Sequence, residues 1–94
     1  MFDTPYQAIL LDNGQVYYGK LDGLGGPFPI MRDVFYTRTE LDPKTKQSSV
    51  VLLKRGKEWH QPDHMVINIQ HVLLIEPVSP DSKVASLIAE LSKR

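Results

Sequence analysis

Ala8–Leu24, AILLDNGQVYYGKLDGL, decides the fold. Asn13-Gly14 separates the apolar run Ala8-Ile9-Leu10-Leu11 from Val16-Tyr17-Tyr18. That dipeptide predicts a β-hairpin with a two-residue type I′ turn, because both central residues of such a turn need positive φ and Asn and Gly tolerate it best. Both parities of the first strand are apolar, which predicts a strand covered on each face. The second sets Lys20 and Asp22 against Tyr17, Gly19 and Leu21 and reads as half exposed. Gly19 interrupts this second strand. A glycine inside a strand marks a bend or a close backbone approach, as at the corner of a small barrel. No helix start follows it and its spacing fits no phosphate-binding loop, so a nucleotide role is not expected.

The 94 residues form one expected domain, 1–94, with strands over 7–77 and a helix over 79–93. Eleven basic and eleven acidic residues cancel to a net charge of zero, which argues against a general polyanion binder, since nucleic-acid affinity rests largely on lysine and arginine displacing counterions. With no cysteine there is no disulfide, thiolate zinc site or thiol nucleophile. MFDTPYQ lacks the basic and apolar regions of a signal peptide, and no apolar run approaches membrane-spanning length. A cytoplasmic protein without membrane contact is the expectation.

Outside the hairpin, Met1–Tyr6 is a lead-in and Gly25-Gly26-Pro27-Phe28-Pro29 a loop, with Phe28 expected to plug one end of a barrel or to face a ligand. Ile30–Thr39 alternates and predicts a long third strand; Glu40–Gln47 is a polar connection. Val50-Val51-Leu52-Leu53, within a fourth strand over Ser48–Arg55, reads as a second strand buried on both faces. Met65–Ile69 returns to alternation, Asn68-Ile69-Gln70 forms a single turn, and Val72–Ile75 is a buried closing strand. Ser79 reads as a helix N-cap before Pro80. Val84, Leu87, Ile88 and Leu91 then recur at helical spacing, predicting an apolar stripe that covers the barrel or a second subunit. The expected fold is all-β: a five- to six-stranded small barrel with a C-terminal α-helix.

This order of elements resembles the SH3-like and Sm-like barrels. The likeness to the first Sm motif covers Ile9–Asp33, with Gly14, Gly19 and Leu21 in matching places. More of the chain is similar to short uncharacterised bacterial proteins that carry a segment like LTNGQVYFGKL and a later IN…QVL…EP stretch, here Ile67-Asn68, His71-Val72-Leu73 and Glu76-Pro77. The Sm resemblance implies RNA binding. Its base-contacting Asp and Asn would fall near Gly25 and Pro29, which lack those side chains, while Gln70-His71-Val72 resembles the Lys-His-Ala triplet of the Hfq-type relatives.

The residues offer few routes to chemistry. Glu58, His60, Asp63 and His64 crowd seven positions, and two histidines four apart can ligate a metal from one helical face. Pro62 lies between them, so the expectation is a solvated loop with Trp59 packed on the barrel. His60, Asp63 and His64 are the residues that a divalent ion would use, and no cofactor is expected. Asp33, Glu40 and Glu58 show no nucleophile–base pairing, so no catalytic residue is assigned and the chain is not expected to be an enzyme. Tyr17, Tyr18, Phe35, Tyr36 and Trp59 with Lys20, Arg32, Lys54 and Arg55 could stack and track a single-stranded nucleic acid, but barrel strands require such residues regardless. Phe28, Trp59 and His71 remain as ligand-facing candidates. The functional expectation is a non-enzymatic domain that binds a protein partner, or itself, through a barrel edge or the helix; the alternative is an Sm-like RNA-binding protein.

Overall fold

A computed structural model describes residues 4–92. Six antiparallel strands form one sheet: β1 (Gln7–Leu11), β2 (Val16–Asp22), β3 (Ile30–Leu41), β4 (Ser48–Lys54), β5 (His64–Val66) and β6 (Val72–Pro77), followed by α1 (Lys83–Ser92). A one-turn 3₁₀ helix at Ile69–His71, started by the Asn68 side chain accepting from Gln70 N, leads into β6. The order across the sheet is β4-β3-β2-β1-β6, and β5 adds to β3. Among the described residues the path does not close on itself, since β4 pairs only with β3 and β6 only with β1.

The first hairpin forms where expected, but with a different turn. Gly14 N donates to Leu11 O and Leu11 N to Gln15 O, and Gly14 alone takes positive φ, +86°. This is a three-residue loop with a glycine bulge, not a two-residue type I′ turn. Asn13 stays on the ordinary side of φ and its Oδ1 accepts from Gln15 N at 3.0 Å. The extra residue is Asp12, whose N–H donates to His71 O at 2.8 Å and whose carboxylate meets His71 Nδ1 at 2.7 Å. This extra loop residue is thus tied by both its backbone and its side chain to the 3₁₀ turn.

Gly19 sits where the β2–β3 register shifts. A Cβ there would lie 2.6 Å from Met31 Cγ and 2.9 Å from Arg32 O, so the two strands approach closer than any side chain permits. On the other side of β2, buried Gln7 accepts from Leu21 N at 3.0 Å and donates to Thr4 O at 2.7 Å, so its side chain satisfies a β2 amide that lies past the start of β1.

Ile9, Met31, Val34 and Ile67 form the core, with Leu11, Tyr17, Leu21, Met65, Val72 and Ile75 packed against it. On the other face Phe35 is buried with Tyr6 edge-on at 6.3 Å. The helix crosses this second face: Ser82 and Val84 share a 390 Å³ groove with Ala8, Leu10, Val16 and Tyr18, and Leu91 borders Leu52 and Leu53. Ile88 is buried, while Val84, Leu87 and Leu91 are half-buried.

Several expectations are corrected. The helix begins at Lys83, not after Ser79: Ser82 Oγ accepts from Ala85 N and Ser82 O from Ser86 N, which makes Ser82 the N-cap, while Ser79 organises only the preceding turn. Its expected end at Lys93 lies outside the described residues. β1 buries Gln7 and Ile9 but leaves Ala8 and Leu10 half-buried. β4 is not covered on both faces, because Val50 is 69% exposed, and β6 is not a buried closing strand, because Leu73 bulges out of the β1 register and is 64% exposed. Phe28 plugs nothing; it is 60% exposed.

Candidate interaction site

β3 is long enough to serve two partners along one edge. Ile30–Arg32 pairs with β5, and Phe35–Leu41 pairs with β4 in an unbroken register. β2 reaches β3 only as far as Tyr36. Beyond that point Thr37–Leu41 and Ser48–Leu52 run on as a two-stranded ribbon, and every residue from Arg38 to Val50 is exposed. The molecule consequently measures 47 × 27 × 26 Å. The ribbon tip is a well-formed loop: Asp42 N donates to Gln47 O, Asp42 Oδ1 accepts from Lys44 N at 2.8 Å, and Lys46 turns the chain with φ +58°.

Directly opposed residues share a face, so the ribbon has two different sides. One carries Thr37, Thr39, Leu41, Ser48, Val50 and Leu52 and holds no charge; the other carries the Arg38–Glu40 ion pair at 2.7 Å. The free edge belongs to β4, whose seven residues have no bulge, no proline and one terminal lysine. The opposite edge of the sheet, β6, is guarded by the Leu73 bulge and Pro77.

A 240 Å³ cleft lies where β3 changes partner, lined by Asp33, Lys54, Arg55, Asp63, His64 and Met65 among others. Asp33 takes φ +50° here, and Val34 O accepts from Arg55 N at 2.8 Å. Most polar side chains around the cleft are engaged: Lys20 pairs with Asp33 at 3.1 Å, Arg55 with Glu58 at 3.6 Å, and His64 Nδ1 is hydrogen-bonded with Asp63 at 2.5 Å. Asp33 holds Lys20 protonated above the usual lysine range, first through their hydrogen bond. His64 holds the Asp63 carboxyl below its ordinary value, and the Gly56 N–H, donating to Glu58 at 2.8 Å, does the same for Glu58.

The residues singled out in the sequence are dispersed. Asp63 and His64 meet, but His60 joins no cluster, and among the described residues no three His, Asp or Glu side chains are arranged to hold a metal ion. Asp33, Glu40 and Glu58 are held separately by Lys20, Arg38 and Arg55. Trp59 does not pack on the sheet; it stands fully exposed on the turn after β4. His71 is bound to Asp12 and braces the first hairpin. Tyr17 and Tyr36 face each other at 6.5 Å beside the core, and Phe35 is buried, so the aromatic residues do not assemble into one exposed platform. Sequence reasoning missed the open β4 edge. The signal was Ser48-Ser49 before the apolar run, polar residues that belong to neither a buried strand nor a turn.

No protein-family model matches the chain, and no curated protein matches it.

Proposed function

We propose that this chain is a non-enzymatic interaction module that takes up a strand of a protein partner along β4. The observation that carries the reading is the edge itself. Seven residues, Ser48–Lys54, offer a regular ladder with four apolar side chains at its centre, no proline or bulge, and a single charge, Lys54, at its very end, so the devices that blunt edge strands in isolated domains are missing from most of its length. Backbone bonds to an added strand supply affinity, and the uncharged ribbon face with Leu41 and Val50 supplies apolar contact. The strand order, and the 3₁₀ turn that leads into β6, fit a curled small-barrel architecture left open at β4.

Val50→Lys tests the reading, because it charges the edge at an exposed position that the fold does not need. Wild type should associate, with itself or with a captured partner whose binding the variant loses. A strict monomer that recovers nothing above background in pull-downs overturns it. Titration with mixed single-stranded RNA at low salt separates this role from a nucleic-acid one: tight, saturable retardation would favour RNA.

A further inference from the structure

The β4 edge is not only open; its sequence is complementary to itself. Resting on the reading above, and naming its partner, we propose that the strand added to β4 is β4 of a second copy, antiparallel and centred on Val51, so that two sheets become one about a two-fold axis. In that register Val51 opposes itself, Val50 opposes Leu52, Ser49 opposes Leu53 and Ser48 opposes Lys54. Apolar residues meet on both faces and each lysine meets a serine. Neighbouring registers are worse. Centring on Val50 sets Lys54 against Lys46, like charges, and centring on Leu52 lays Lys54 over Val50 and sends Ser48 to Gly56, where the chain has left the strand with φ +128°. A two-fold axis makes the contact isologous and closed, and a net charge of zero sets no long-range repulsion between copies.

The same register explains two features that the fold does not use. Each ribbon runs antiparallel past the body of the other copy, which brings its tip, 42–47, alongside the turn that carries Trp59. A stable interface buries roughly 1,200 Å² or more in total, beyond the reach of a seven-residue edge alone. Covering one indole in each copy adds on the order of 150–250 Å² apiece. The projecting ribbon and the bare tryptophan thus become the two halves of one contact.

The chain has no cysteine, so Val51→Cys introduces a single thiol. Antiparallel neighbours lie about 4.5–5.5 Å apart at Cα, inside the range of about 4.4–6.8 Å that a disulfide spans. Under mild oxidation Val51→Cys should be captured as a covalent dimer, and Leu73→Cys, on the β6 edge, should not. Wild type should sediment as a monomer–dimer equilibrium, with emission from its only tryptophan moving to the blue across the transition. Val50→Lys should weaken dimerisation at least tenfold while leaving the melting temperature of the dilute, monomeric chain unchanged, since only association adds stability at higher concentration. A chain that stays monomeric to millimolar concentration overturns the proposal, while capture of another protein along β4 would still uphold the edge reading. A dimer that cross-links through position 73 and not 51, or that tolerates Val50→Lys at wild-type affinity, overturns the β4 assignment and leaves self-association standing.

Discussion

At position 19 a single hydrogen atom decides whether β2 and β3 can lie together. Two neighbours would obstruct a Cβ there: Met31, which has no exposed surface into which to move, and the carbonyl of Arg32, which is backbone. Gly19→Ala should therefore destabilise the fold by about 1–3 kcal/mol, the range for overpacking a filled core. Gly26→Ala is the matched control. Its Cβ would meet Gly23 O at 3.6 Å, an ordinary contact, so its effect should stay within about 0.5 kcal/mol. Both substitutions restrict the unfolded chain equally, so the difference between their denaturation midpoints isolates the close approach.

Among the elements, α1 shows how a local rule can choose the wrong residue. Ser79-Pro80-Asp81 has the composition of a helix start, yet Ser82 supplies the cap, its hydroxyl accepting from Ala85 N at 3.1 Å. Val78 N donates to Tyr6 O at 2.9 Å, which holds the end of β6 against the lead-in, and the turn from Ser79 to Ser82 then carries the chain back over the sheet before the helix begins. Ser82→Ala should cost about 1 kcal/mol, and Ser79→Ala less than about 0.5 kcal/mol. Thermal denaturation of the two variants distinguishes the assignments, and equal losses would mean that both serines cap. The edge strands differ in the same way: β4 and β6 are both rich in leucine and valine, but only β6 carries a bulge.

For the whole molecule, the ribbon sets the shape. The radius of gyration is 14.1 Å, against about 12 Å for a compact chain of this length. The surplus lies in residues that touch little besides each other. Replacing residues 39–50 by Asn-Gly, which joins the paired residues Arg38 and Val51 with a two-residue turn, should leave the core folded. The melting temperature should move by no more than a few degrees, the longest dimension should fall below 47 Å in small-angle scattering, and association should vanish. Loss of cooperative unfolding would instead make the ribbon part of the fold.

The residues alone determined the β-rich class, the Asn13-Gly14 hairpin, the long third strand and an apolar stripe on a C-terminal helix, because periodicity and turn chemistry act between near neighbours and need no knowledge of the rest. They did not determine what covers each strand. Val50–Leu53 and Val72–Ile75 read alike, as buried runs, since apolarity reports a preference for burial and not whether another element arrives to provide it. Only the tertiary structure decided that β3 divides one edge between β5 and β4, that β4 is consequently left with an unpaired edge, and that Trp59 stands bare on the turn that follows it. The physical reason is that an open edge is a property of the missing neighbour, and a neighbour that pairs across dozens of residues leaves no mark in the stretch it would have covered.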